Sequence, residues 1–356
     1  MSHFMKVGNT VRIFPQDAID LRDGLPVGTY VVKYEKKSES YFLEMADQFE
    51  SLPKYYGKTI AHADRILNTF FSRGRTMGVM LTGEKGSGKT LLAKEVSIRA
   101  AQRGISTLVI NTNFHGDDFN QFIQSIGSTA VILFDEFEKV YDSSKQEHVL
   151  TLLDGTFPTN HLFVLTCNDK WRVDSHMRNR PGRIHYMIEF GGLSQEAVRE
   201  YAVDRLVKQE YVEQLVKLST LFAEFNFDML KAIVEEMNLY GENPREAMEL
   251  LNAKPEYERR GHYEQTYNIR LTVDDKEVPN SNIYPKTLSN NPLAMSSITV
   301  DVEDWDERDE FAVTFTHDDI LAVDANVGKF VFRDEQGRTL VIEKPQQTKF
   351  DVFKLL

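Results

Sequence analysis

The run GEKGSGKT, Gly83 to Thr90, constrains this chain more than any other stretch. It satisfies the pattern G-x-x-x-x-G-K-[ST] in full, follows the apolar segment GVMLT and opens a helical pattern at Lys89. A strand, a glycine-rich loop and a helix in that order belong to a sheet whose neighbouring strands run parallel. Gly83, Gly86 and Gly88 let the backbone curl so that its N–H groups surround a phosphate, with Glu84, Lys85, Ser87 and Leu91 completing the loop. The helix start adds its positive dipole end. Lys89 is placed to neutralise outer phosphates. Thr90 offers a hydroxyl to Mg²⁺, a hard cation that takes oxygen ligands. The expected cofactors are ATP and Mg²⁺. A glycine-rich turn with no ligand is the weaker reading, because both flanks fit the pattern.

The surroundings extend the same architecture. GVMLT, a helix from Lys89, TLVIN, a helix around Asp118 to Ile126, AVILFD, a helix around Gln146 to Leu153, LFVLT and IHYMIEF alternate along the chain. This predicts an α/β fold: a P-loop parallel sheet with helices on both faces. Just upstream, Ile60, Ala63, Ile66, Leu67 and Phe70 recur at helical spacing. Before about Glu50, VRIF, TYVVKY and YFLEM read as strands, the last two joined as a hairpin by KKSES. Ser194 to Asn252 is helical throughout, broken at GENP before a last helix opened by Pro244, and predicts an all-helical lid. After Pro255, NIRLTV, ITVDV, FAVTF, KFVFRD and TLVIEK predict a β domain. At 356 residues the chain is too long for one ordinary domain. The expected division is a β-rich domain over 1–54, the nucleotide-binding α/β domain over 55–193, the lid over 194–254 and a β domain over 255–356.

AVILFDEFEKV ends an apolar strand in Asp135 and Glu136, which projects two carboxylates from the strand end where ligands bind in such sheets. Asp135 is expected in the Mg²⁺ shell. Glu136, not a metal ligand, is placed to orient and polarise the water that attacks the γ-phosphate. A solvated acidic strand end is the alternative, but the first motif requires a partner of this kind.

Charge and cysteine usage exclude other classes. Forty-two basic residues against 54 acidic ones leave a net charge of −12, which repels a phosphate backbone unless the bases cluster. Beyond Pro255 there are 20 acidic and 12 basic residues, net −8, so a charged partner of that region is expected to be basic. The single Cys167 excludes an internal disulfide framework and fits a reducing cytoplasm. On its apolar strand it reads as a small buried residue rather than a nucleophile. The nine histidines have no metal-ligand spacing, so no metal besides Mg²⁺ is expected. DVEDWDERDE, Asp301 to Glu310, reads as a solvated acidic edge, with partner docking as the other reading. No apolar run approaches the roughly 18 residues a bilayer crossing requires, and MSHFMKVGNT lacks a signal peptide's apolar core. A soluble cytoplasmic protein without a membrane partner is expected.

With both motifs in place, the chain resembles the AAA+ family of ring-forming ATPases over about Tyr55 to Asn252. LTLLDGTFPTNHLFVLTCND is similar to the family's passage into its sensor-1 strand, which implies that Asn168 touches the γ-phosphate or its water. NRPGRIHYMIEF resembles the RPGR segment, which implies that Arg180 and Arg183 reach a neighbouring subunit's nucleotide. A planar guanidinium suits that role by bridging phosphate oxygens. By itself the cluster, with Arg178, would read as solvated surface. GENPREAMELLN is similar to the start of the sensor-2 helix and implies Arg245 over the phosphates. KYYG resembles the base-cradling segment, through Tyr56 and Gly57. Phe114, His115 and Gly116 sit where the family's pore loops arise and look like an aromatic-x-Gly gripping element, although Phe114 folded onto the core is an equal alternative. The RPGR segment and LLDG run look nearest to the branch containing the mitochondrial Rieske-protein translocase. The chain departs from the family in lacking the usual Pro after Gly83 and in its terminal β regions. The resemblance implies a homo-oligomeric ring, such as a hexamer, coupling ATP hydrolysis to remodelling or translocation of a macromolecule, with protein favoured by the acidic balance. The rivals are a nucleic-acid remodeller of helicase or clamp-loader type and a scaffold glued by ATP without turnover.

Overall fold

The structure, a computed structural model, describes residues 2–7, 9–15, 20, 22–153, 160–178, 182–222, 224–252, 266–303, 305, 310–325 and 327–345. The chain divides into two compact units, Met1–Phe190 and Gly191–Leu356.

The first unit opens with an antiparallel hairpin, β1 (Ser2–Val7) and β2 (Thr10–Pro15), in which Phe4 faces Ile13. A second hairpin follows, β3 (Thr29–Glu35) and β4 (Ser40–Ala46). Then come α1 (Thr59–Arg73), β5 (Met77–Gly83), α2 (Lys89–Ala101), β6 (Ser106–Ile110), α3 (Asp117–Ser125) and β7 (Ala130–Phe134). The unit closes with α4 (Phe137–Val140), α5 (Ser143–Leu153), β8 (Leu162–Cys167), α6 (Ser175–Arg178) and β9 (Ile184–Phe190). Seven strands make one sheet in the order β4-β3-β6-β7-β8-β5-β9, parallel throughout except for the β3–β4 pair.

Alternate side chains of the central strands serve two cores, which is why GVMLT, AVILF and LFVLT are apolar on both faces. Met80, Ile132, Phe134 and Phe163 pack with Phe119 and Ile123 of α3 and Val149 and Leu153 of α5. Val79, Leu81, Val131, Leu133 and Val164 pack with Leu67 and Phe70 of α1 and Leu92 and Val96 of α2. The expected sheet with helices on both faces is thus present in the first unit. One element stands elsewhere than expected: the TYVVKY–YFLEM hairpin is not set apart at the N-terminus but completes the sheet. Thr29 to Val31 run parallel to Thr107 to Val109, and Val32 is fully buried. The reason is the open ladder of β6, which an apolar strand can satisfy more completely than a free-standing hairpin can satisfy itself.

The chain leaves β5 through α2 and enters the sheet again at β6, and β7 and β8 later fill the gap between them. The carboxyl ends of β7, β8 and β5 therefore lie side by side. Those ends carry Asp135, Asn168 and the loop that begins at Gly83.

In the second unit four helices come first: α7 (Gln195–Arg205), α8 (Val212–Ser219), α9 (Phe227–Tyr240) and α10 (Pro244–Met248). Ser194 and Asn226 cap α7 and α9, and Asn243 with Glu246 forms a reciprocal capping box on α10, which opens at Pro244 as expected. The strands are β10 (Tyr267–Val273), β11 (Lys276–Glu277), β12 (Ile283–Tyr284), β13 (Thr287–Leu288), β14 (Ser297–Val302), β15 (Phe311–Thr316), β16 (Ile320–Asp324), β17 (Lys329–Arg333) and β18 (Thr339–Glu343). They form one sheet ordered β11-β10-β18-β17-β16, with β13 also on β10, and a second ordered β12-β14-β15. Alternate residues, among them Ile269, Leu271, Val300, Phe315, Phe332 and Leu340, build a single core. All five strands anticipated here are present, and the two-residue β11, β12 and β13 and ILAVD, β16, are additions. In the acidic run Trp305 is buried, whereas Asp304 and Asp306 to Asp309 lie outside the described residues. No described helix is long and apolar enough to cross a membrane.

Candidate nucleotide site

Gly83, Gly86 and Gly88 all take positive φ, at 141°, 75° and 103°. Gly83 has a second constraint. A Cβ there would lie 2.1 Å from the Phe190 carbonyl oxygen of β9, so only glycine lets the loop leave the sheet at this point. Gly88 is the N-cap of α2 and supplies no side-chain cap, and the first turn contains no acid. The leading N–H groups of a 13-residue helix are thus left to an anion. Lys89 is 6% exposed, and its ammonium donates to the carbonyls of Gly83 and Glu84, each at 2.7 Å. Burial lowers its pKa, while Glu138, Cys167, Asp135 and Glu136 oppose that shift. A buried cation held by neutral oxygens, two carbonyls and the Ser87 hydroxyl at 3.5 Å, is the partner a phosphate needs. Thr90 is exposed at the loop's edge.

Facing this loop, Thr166 of β8 ties down both acids of the second motif. Its hydroxyl donates to Asp135 Oδ1 at 2.7 Å and accepts from the Glu136 backbone N–H at 2.9 Å. Glu136 takes a left-handed conformation, φ 48° and ψ 48°, between β7 and α4. This costs energy for a residue with a Cβ, and it turns the carboxyl out of the strand line. Among the described residues no three His, Cys, Asp or Glu cluster as a metal cage. A Mg²⁺ ion would rest on Asp135, Thr90 and phosphate oxygens, which suits its habit of binding through one carboxylate plus nucleotide.

The Lys139 ammonium hydrogen-bonds Glu136 and holds its carboxyl below the usual carboxylate range, with partial burial opposing. Removing this cation raises the carboxyl's pKa, so the base becomes protonated at a higher pH. Lys139→Met should therefore move the acidic limb of the pH profile of ATP hydrolysis upward. An unmoved or lowered limb would rule out Glu136 as the group that titrates.

Asn168 follows β8 directly. Its backbone N–H and its side-chain amide both donate to Glu138 Oε1 at 3.0 Å. Glu138, Thr166 and Phe190 are the neighbours that sequence reasoning missed. The only signal for Glu138 is its place two residues beyond Glu136. Cys167 is buried, and burial with Glu138 nearby pushes its thiol up to about 12, so it is inert as read from the sequence.

Tyr56 is half-buried with the Lys54 ammonium 5.1 Å from its ring centre, and Gly57 turns the chain with φ 72°. The adjacent Tyr55 hydroxyl bonds to the buried Glu95 of α2, and Arg99 bridges Glu95 and Asp64, so this segment is anchored to the helix that follows the loop. Arg183 donates to the His176 carbonyl at 3.3 Å, across the turn between α6 and β9. Arg180 lies outside the described residues. Arg245 is exposed at the second position of α10 in the second unit. Phe114 is partly buried against the core. Its half-buried ring meets Tyr41 edge-on at 5.3 Å and Phe119 at 5.9 Å, because the hairpin completing the sheet brings Tyr41 over it. His115 is exposed beside it, and Gly116 is the N-cap of α3.

A glycine loop between strand and helix, a buried lysine and two acids on a strand two places away define a P-loop nucleotide-binding fold. Residues 79–192 match the model of the ATPase family associated with various cellular activities (AAA), and the chain thus contains a domain of that family. A comparison with curated proteins found no match to this chain.

Proposed function

We propose that the protein is a ring-forming ATPase that couples ATP hydrolysis to remodelling or translocation of another protein. The observation that supports hydrolysis most directly is the meeting of Lys89, Asp135, Glu136 and Asn168 at adjacent strand ends. Lys89 binds outer phosphates, Asp135 and Thr90 hold Mg²⁺, Glu136 takes the proton of the attacking water, and Asn168 helps hold that water. Bound Mg²⁺ supplies charge neutralisation on the phosphate oxygens. Arg180 and Arg183 act on the nucleotide of the next subunit, Arg245 acts from the helical region, and Tyr56 and Gly57 hold the base. A pure scaffold would have no use for a strained, ionised Glu136. Protein is preferred over nucleic acid because the net charge is −12 and the exposed Asp117 and Asp118 flank the loop at His115.

The test is phosphate release from ATP by the full chain with Mg²⁺, alone and with unfolded polypeptide or single-stranded DNA. Turnover raised by polypeptide is expected. Stimulation by DNA alone would overturn the protein reading, and ATP binding without release would establish the scaffold.

A further inference from the structure

Glu138 has no role in the site as described, yet it is the acid most deeply placed there. It is 9% exposed, on the short helix α4 that follows Glu136. One of its oxygens, Oε1, accepts both hydrogen bonds from Asn168, from the backbone N–H and from Nδ2, each at 3.0 Å. Its other oxygen, Oε2, is buried and has no donor among the described residues. Concentrating both donors on one oxygen and leaving the other without any is unfavourable by the ordinary rules of burial. A carboxylate kept under those conditions is retained for its effect on a neighbour.

That effect follows from donor chemistry. A carboxylate only accepts hydrogen bonds, whereas a carboxamide presents a donor on one side and an acceptor on the other. Facing Glu138, Asn168 has one permitted orientation, with Nδ2 inward. Nδ2 donates to Glu138 Oε1 at 3.0 Å, which turns Oδ1 away from that carboxylate. With the amide nitrogen held on Glu138, Oδ1 is the atom turned to the reaction, and Oδ1 can only accept.

We propose that Glu138 is a positioning residue that locks the Asn168 carboxamide so that its oxygen accepts a hydrogen bond from the attacking water. Asn168 then orients water beside Glu136 instead of donating to the γ-phosphate. This inference rests on the hydrolytic reading of the site.

A double-mutant cycle tests it. Rates of phosphate release and affinity for a fluorescent ATP analogue are measured on the full chain for wild type, Glu138→Ala, Asn168→Ala, the double variant and Glu138→Gln. Glu138→Ala should lower kcat by roughly 10- to 100-fold, the usual loss when a partner that orients a working ligand is removed. KM should stay near the wild-type value. The double variant should be no slower than Asn168→Ala alone, as expected when the effect of Glu138 on the chemical step passes through Asn168. Glu138→Gln keeps an oxygen that can accept from Asn168 and should recover most of the lost rate, which keeps the test decisive if Glu138→Ala folds poorly. Multiplying losses in the double variant, or a Glu138→Gln rate as low as that of Glu138→Ala, would overturn the proposal while leaving the ATPase reading intact. A wild type no faster than Lys89→Ala would overturn the ATPase reading and the inference with it.

Discussion

Lys89→Ala is expected to lower ATP affinity by about 100-fold, the equivalent of the ~3 kcal/mol that a hydrogen bond to a charged group contributes, and to abolish measurable phosphate release. The side chain is buried, and its ammonium is already drawn over the loop by the carbonyls of Gly83 and Glu84. Binding therefore needs little reorganisation of the lysine, and a phosphate would replace carbonyl dipoles with a full opposite charge. Alanine leaves the glycine turns and the helix N-terminus in place, so residual binding should come from backbone N–H groups alone. The fold should persist, because Lys89 carries no described salt bridge. Titration of a fluorescent ATP analogue, with thermal unfolding as a control, measures this. Equal affinity in the variant and wild type would mean that the loop does not hold phosphate.

Glu136→Gln should keep ATP affinity within a fewfold of wild type and lower the hydrolysis rate by about 10²- to 10⁴-fold, the range attributed to a positioned general base. Glutamine preserves the side chain's shape and leaves the backbone N–H of residue 136 on Thr166, so the arrangement of Asp135 should not change. What disappears is the ability to take a proton. The ion pair with Lys139 is lost as well, but both partners are solvent-exposed, and such a pair contributes little to stability. Single-turnover phosphate release measures the chemical step directly. A variant that hydrolyses ATP at the wild-type rate would transfer the role of base to another group, and loss of binding would show that Glu136 supports the loop.

How much of this was legible beforehand differed from residue to residue. The P-loop and the acidic strand end could be read because each is local: glycines where φ must be positive, a lysine at the first position of the helix, carboxylates at the end of an apolar run. Asn168 was implied by the resemblance of LTLLDGTFPTNHLFVLTCND to the family's sensor-1 passage, but its partner Glu138 was not. The two lie 30 residues apart and meet only because β7 and β8 are neighbours in the sheet. Thr166 escaped notice for the same reason, since a threonine inside an apolar strand gives no sign of the carboxylate beside it. Phe114 was an even choice between loop and core, and its contact with Tyr41 is one that sequence distance conceals.

The sequence by itself determined the strand–loop–helix unit, the apolar strands, the capped helices and the residue types at the phosphate end. Each depends on periodicity, backbone freedom or capping over a few consecutive residues. Only the tertiary structure decided the strand order, the return of the N-terminal hairpin to the edge of the sheet, and the chain of contacts from Thr166 to Asp135 and from Glu138 to Asn168. Those depend on which backbone ladder is left open and which strand fills it, and a pairing across dozens of residues leaves no trace in the order of neighbours along the chain.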